Sequence, residues 1–236
     1  MNVGVFAYEG SASEGLAAKY KVFAASPLRG DWTAQMAEGT ARLLDSGCDC
    51  IVFIGKDCRP QPDLVDSHSV CLAAHRYPLV TCGRILHPDS RWKDFREVGK
   101  PSHLKLFNSR GLIIQNPSVL SGGYGISVAN FGFNRAAADR LARFTRMYLD
   151  EDGPLPSIDR IAPSGYGKVL SICAWCARAT VFMLPTGKDD AAVYGGSGPN
   201  PYSPVDLDNS EGVISLISKR TAEQPPGLDF FDSPLD

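Results

Sequence analysis

The sequence predicts an α/β fold on two observations. Short β-type runs at Val3–Ala7, Val22–Ala24 and Ile51–Ile54 alternate with helix-like segments, the order that builds a sheet covered by helices. Ile51–Ile54 is also continuously apolar, as strands are when a parallel sheet buries both their faces. Between these runs, Ser13–Lys19 reads as a helix. Asp31–Ser46 reads as a second, with Asp31 as its cap and Met36, Ala37, Leu43 and Leu44 as buried positions. VLSICAWCARA, residues 169–179, reads as a buried helix, and Gly195–Gly212, crowded with turn formers, reads as a linker. The apolar run Val213–Ile217 follows the linker and reads as a buried strand; because a lone strand is not stable, it must pair with the rest. No internal repeat or heptad is present. In open α/β sheets ligands bind beyond the carboxyl ends of the strands, so the residues after those ends carry the functional question.

Composition narrows the classes. The 236 residues make one large domain or two small ones, and the reading here is a single domain over 1–236. With 21 % charged and 44 % hydrophobic residues, the chain has globular composition rather than that of a disordered polymer. A net charge of −2 gives no general polyanion-binding surface. The apolar stretch Val169–Ala177 is cut off by Arg178 and too short to span a bilayer, and MNVGVFAYEG lacks the basic start and cleavage site of a signal peptide; a cytoplasmic location is the expectation. The seven scattered cysteines, 48, 50, 58, 71, 82, 173 and 176, read as reduced thiols.

Several segments carry a resemblance when taken in order. They are YEGS (8–11), LRGDWTAQMAEGTARLL (28–44), CDCIVFIGKDCRPQPDLVDSH (48–68), CGRI (82–85), SVANFGFNR (127–135) and TVFMLPTGKDDAAVYG (180–195). Together they resemble the catalytic core of family-2-like glycosyltransferases with the GT-A fold, in which an apolar strand ends in an Asp-x-Asp motif followed by a Pro-containing turn and a helix ending near a His. The resemblance implies a mostly parallel, Rossmann-like sheet flanked by helices. It sets YEGS in the place of the Asp-Asp-Gly-Ser turn that contacts the nucleotide, SVANFGFNR on the acceptor side with Asn130 and Arg135, and Gly195 in the place of the closing His. The family's opening strand, resembling V-I-I-P-T-Y-N-R-A-E-Q, is missing from the front, and ISLISKRTAEQ (214–224) resembles it. A circular permutation is therefore expected, which domains tolerate because termini lie close together at the surface. Residues 213–217 would then lie centrally, paired in parallel with both Val3–Ala7 and Ile51–Ile54. Segments 1–60 and 212–236 would form the nucleotide-binding part, 61–194 the acceptor side and 195–211 the linker.

The activity implied by the resemblance is transfer of a sugar from a nucleotide-diphosphate donor to a hydroxyl acceptor, whether a glycan, a small molecule or a modified nucleic-acid base; the net charge gives no support to nucleic acid. The departing diphosphate must be neutralised, normally by Mn²⁺ or Mg²⁺ held by carboxylates. Here Asp57 takes the second Asp of the motif, while Gly55 and Lys56 take the first two positions. Asp57 alone is a weak metal ligand set, and the Lys56 ammonium can serve as a point charge instead. Glu9 and Ser11 follow the first strand and are expected to contact base or ribose. Ser218, Lys219 and Arg220 converge on the same mouth if the permutation holds. The base that deprotonates the acceptor is assigned to Asp159, with Glu151 and Asp152 behind it.

Other features read as structural. Cys173 and Cys176 form a C-x-x-C without a partner pair at zinc spacing and read as core cysteines. His68, His75, His87 and His103 show no H-x-x-x-H spacing, and Trp92, Phe95 and Phe107 read as core rather than acceptor groove. The missing Asp and His leave open a catalytically degenerate nucleotide-sugar-binding protein. A nucleotidyltransferase on a similar sheet would need a Gly-rich basic loop, and none follows Val3–Ala7.

Overall fold

The centre of the protein is a strand with no exposed face: all five residues of Cys50–Ile54 are at most 1 % accessible. A computed structural model describes residues 1–10, 13–83, 85–86, 112–114, 126–158, 161–184, 191–197 and 210–223. In chain order these form β1 (Val3–Tyr8), α1 (Ser13–Ala17), β2 (Lys21–Ala25), α2 (Trp32–Asp45), β3 (Cys50–Ile54), β4 (Cys58–Pro60), α3 (Leu64–Ala73), β5 (Leu79–Cys82), β6 (Ile85–Leu86), β7 (Leu112–Ile114), β8 (Asn130–Asn134), α4 (Arg135–Leu149), α5 (Pro163–Cys176), β9 (Thr180–Met183), β10 (Ala192–Tyr194) and α6 (Ser210–Glu223). Seven strands make one sheet in the order β2-β1-β3-β8-β5-β9-β7. Strands β2, β1, β3, β5 and β9 run parallel, and β8 and β7 run against them. A small sheet, β4-β10-β6, stands beside it.

Side-chain alternation sorts the two faces. On one, Phe53 stacks on Phe131 with centroids 4.3 Å apart and touches Phe6 and Phe133 at 5.5 and 5.4 Å. Helix α2 presses close on this face: a Cβ on Gly39 would stand 2.6 Å from both Phe6 and Phe23, so only glycine fits. On the other face Cys50 packs with Leu72 and Leu79, and α3 sends His68 into the sheet between Thr81 and Asn130, each 2.7 Å from a ring nitrogen. Helix α1 joins α3 on this side, where Lys19 and Tyr20 both reach Asp66 at 2.6 and 2.7 Å.

The strand expected at 213–217 is a helix. These residues lie inside α6, which packs on α4 and α5 and not in the sheet. The central place is filled already, because β1 pairs directly with β3 from Val3↔Cys50 to Phe6↔Phe53 and with β2 along its other edge. The expected permutation is thus overturned in its structural premise: β1 pairs directly with β3, so no strand lies between them, and 213–217 is not in the sheet. The physical reason for the misreading is that an apolar run of four or five residues fits both periods. The helical period decides it here, since Val213 and Ile214 are half-buried and Ile217 is fully buried, whereas Leu216 is 44 % exposed.

Other expectations need smaller changes. Helix α2 starts at Trp32 with Asp31 in the cap position, yet Asp31 makes no side-chain cap bond because Arg29 takes both its oxygens, at 3.2 and 2.7 Å. Met36 and Leu43 are buried as expected, and Ala37 and Leu44 are half-buried. Most of the 195–211 linker, with His87, Trp92, Phe95, His103 and Phe107, lies outside the described residues.

The helical assignment of 213–217 is checked by urea unfolding. Ile217→Ala should cost about 2–5 kcal/mol, the usual loss for a buried aliphatic side chain, and Leu216→Ala less than about 0.5 kcal/mol. A strand buried on both faces would show comparable losses at the two positions.

Candidate functional site

Strands β1, β2 and β3 end at one edge of the sheet, so three short segments meet there: Tyr8–Gly10, Ser26–Asp31 and Gly55–Asp57. The third is a tight turn in which the Cys58 N–H donates to the Gly55 carbonyl at 3.1 Å. Its third residue, Asp57, has a φ of 59°, the feature of type II turns that selects Gly or Asn. Asp57 is held in that conformation from outside, for the Gly195 N–H donates to its carbonyl at 2.8 Å. Gly195 is therefore a backbone brace for the turn.

Two adjoining hollows open between these segments. The larger, about 390 Å³, has an apolar floor and wall of Phe6, Ile54, Val128, Trp32 and Met36, with Arg29, Lys56 and Asp57 at its rim. The smaller, about 240 Å³, shares Tyr8, Pro27, Lys56 and Asp57 with it and adds Glu9, Arg59 and Gly195. Trp32 stands edge-on to Tyr166 with centroids 5.0 Å apart. Burial, and behind it the charge of Asp31, pushes the Tyr8 phenol up to about 12, so it stays protonated at neutral pH. At the rim the Arg29 guanidinium lies between Asp31 and Glu38, 2.7 and 3.7 Å away. The hydrogen bonds between Arg29 and Asp31 raise the pKa of the one and lower that of the other.

The structure gathers some of the expected residues and scatters the rest. Glu9, Lys56 and Asp57 share the smaller hollow. Ser11 and Asp159 lie outside the described residues. Ser218, Lys219 and Arg220 do not converge on this mouth: they sit on α6, where Lys219 approaches Glu223 at 3.8 Å and Arg220 donates to the Tyr148 carbonyl and lies 3.6 Å from the Asp150 carboxylate. Arg220 lines a separate hollow with Met147 and Glu223. Asn130 is opposite Ile54, near the mouth, but its side chain is fully buried and its Oδ1 accepts from His68 Nε2. Arg135 belongs to the opposite end of β8, where its guanidinium donates to the Leu44 and Cys48 carbonyls at 2.8 and 2.7 Å and ties down the end of α2. Glu151 accepts from the Ser157 N–H, and Asp152 is an exposed partner of Arg146 at 3.3 Å. Neither lines the two hollows. Their segment adjoins the larger one all the same, because Tyr166 donates to the Pro156 carbonyl at 2.6 Å and Pro163, one turn earlier in α5, lines the cavity.

Sequence reasoning passed over Arg29, Trp32 and Arg59. The signal for the first two was the strand-end rule applied to β2, whose following turn, SPLRGD (26–31), lies outside the nucleotide turn assigned to YEGS. Among the described residues no group of three or more His, Cys, Asp or Glu side chains is arranged to hold a metal. All seven cysteines are free. Burial pushes the Cys173 thiol up and that of Cys176 to about 11, which disfavours the reactive thiolate. Among the described residues no helix is long and apolar enough to cross a membrane.

No family model matches the sequence, and no curated protein matches it. Solved structures do. The crystal structure of S. aureus TarS residues 1–349 in complex with UDP-GlcNAc superposes with a TM-score of 0.54 at 13 % identity, over 96 % of this chain and 68 % of that one. The fold is that of the GT-A glycosyltransferases. Two further S. aureus TarS structures match: residues 1–349, at a TM-score of 0.48 and 11 % identity over 95 % of this chain and 73 % of that one, and TarS, at 0.47 and 12 % over 100 % and 46 %.

The braced turn yields a stability test. Replacing Asp57 by Gly removes the left-handed strain and should leave the melting temperature unchanged or raise stability by up to about 1 kcal/mol, whereas Asp57→Val should lower it by more than about 1 kcal/mol. Differential scanning calorimetry of both variants checks the expected order.

Proposed function

We propose that the protein is a glycosyltransferase, of the hexosyltransferase type, that takes a sugar from a nucleotide-diphosphate donor to a hydroxyl acceptor. The observation that carries this reading is the cleft at the carboxyl ends of β1, β2 and β3, apolar and aromatic on its floor with Lys56 among the charged side chains at its rim, in a fold shared with a protein whose crystal structure holds UDP-GlcNAc. A nucleoside matches the apolar part, where Trp32 and Tyr8 offer ring faces and edges. The diphosphate then meets the turn carrying Lys56.

In the transfer the acceptor oxygen bonds to the anomeric carbon while the bond from that carbon to the diphosphate oxygen breaks. The nucleoside diphosphate leaves with the electron pair, and the acceptor's proton passes to a carboxylate. The ammonium of Lys56 stabilises the charge that grows on the leaving group, a role in which a preorganised cation in a partly dry site is most effective. We assign the proton acceptor to the 150–159 segment, with Asp159, Glu151 and Asp152 as its carboxylates. The support is that this segment is bonded to the first turn of α5, which borders the cleft. The poor metal donor set favours Lys56 over a divalent cation as the counter-charge, and it also sustains the second reading, a GT-A protein that binds nucleotide sugars without turning them over.

Calorimetry with UDP-GlcNAc and other nucleotide sugars, in EDTA and in Mn²⁺, followed by a donor-hydrolysis assay, separates these readings. Lys56→Ala is expected to weaken donor binding about tenfold, roughly 1.4 kcal/mol, and EDTA to weaken it less. If Lys56→Ala binds donor like the parent while EDTA abolishes binding, the counter-charge assignment is wrong. Binding without hydrolysis or transfer selects the degenerate protein.

A further inference from the structure

The charges around the two hollows do not balance a diphosphate with Lys56 alone. A nucleoside diphosphate bridged to a sugar carries two negative charges, which a divalent cation would match. Of the cations at the rim, Arg29 is already committed to Asp31 and Glu38. Arg59 is different. It lines the smaller hollow together with Lys56, it is exposed, and it forms no ion pair with any described residue. Its placement follows from the turn: the left-handed Asp57 reverses the chain, and β4 then pairs Cys58 and Arg59 with Tyr194 and Val193 of β10. Strand alternation buries Cys58 fully and leaves Arg59 pointing outward. Lys56 and Arg59, three residues apart, thereby border one hollow.

Building on the glycosyltransferase reading, we propose that Arg59 is the second cation of a metal-free diphosphate clamp, with Lys56 on one phosphoryl group and the Arg59 guanidinium on the other. The pair supplies the two positive charges that the missing first Asp and closing His would otherwise supply by holding a metal. The division of labour suits the chemistry of the two side chains. A guanidinium presents parallel N–H donors that fork onto two oxygens of one phosphoryl group, and an ammonium acts as a compact charge. The carboxylates of Glu9 and Asp57 border the same hollow and oppose a bound diphosphate, so one cation would not hold it there and both are needed.

The test measures binding of inorganic pyrophosphate, UDP and uridine to the whole chain by calorimetry in EDTA, for the parent, Arg59→Gln and Arg59→Lys, with melting curves to confirm folding. The parent is expected to bind pyrophosphate and UDP in EDTA. Arg59→Gln should weaken both about ten- to a hundredfold, the span of a lost charge-assisted bond, and leave uridine binding unchanged; Arg59→Lys should fall between. A merely structural role would move uridine and UDP together. The clamp is overturned if Arg59→Gln binds pyrophosphate like the parent, if uridine affinity falls in step with UDP, or if the parent binds pyrophosphate only with Mn²⁺. Pyrophosphate binding that depends on Arg59 while no nucleoside or nucleotide sugar binds keeps the clamp and removes the glycosyltransferase reading.

Discussion

The direct parallel pairing of β1 with β3 is the constraint on which the site depends. Four register pairs from Val3↔Cys50 to Phe6↔Phe53 set the two strand ends level, so that Glu9 on one and Lys56 and Asp57 on the other open into a common hollow. Strand β2 extends the same edge and delivers Ser26–Asp31 to the larger cavity. Because β1 and β3 are buried on both faces, a slip between them by one residue would exchange two sets of packed side chains at once. The register is therefore held by the core, and the mouth inherits its geometry from packing rather than from its own contacts.

Above the strand ends, the turn at Gly55–Cys58 is shaped by elements that are distant in sequence. Its left-handed Asp57 is braced by Gly195 at the end of β10, and β10 pairs with β4 immediately after the turn. The small sheet thus holds an unfavourable backbone conformation in place and turns Arg59 outward. Strain of this kind persists only where the surroundings over-determine it, and such places are often functional.

Internal scaffolding explains two residues that looked like acceptor contacts. Asn130 completes a buried chain with His68 and Thr81, and a Cβ on Gly83 would collide with the Asn130 side chain; its position near the mouth is a consequence of scaffolding. Arg135 uses its donors on the Leu44 and Cys48 carbonyls, at the end of α2 and in the following turn. A polar residue beside a strand end has two ways of being satisfied, by ligand or by backbone, and only the fold distinguishes them.

By itself the sequence determined what depends on short-range pattern. The continuous apolar run of β3, the helix at 32–45, a buried helix around 169–179 whose start at Pro163 was not read, and the turn carrying Lys56 and Asp57 were legible, because burial on both faces and helical periodicity leave local marks. The tertiary structure decided what depends on partners. Residues 213–217 had an ambiguous period, and the expected central place for them as a strand did not exist, because β1 and β3 pair directly with each other. The same closure made 26–31 a wall of the cleft and left Arg220 on the outer helix beside Asp150. Short apolar segments are consistent with several folds, and long-range pairing, which no local window contains, selects one of them.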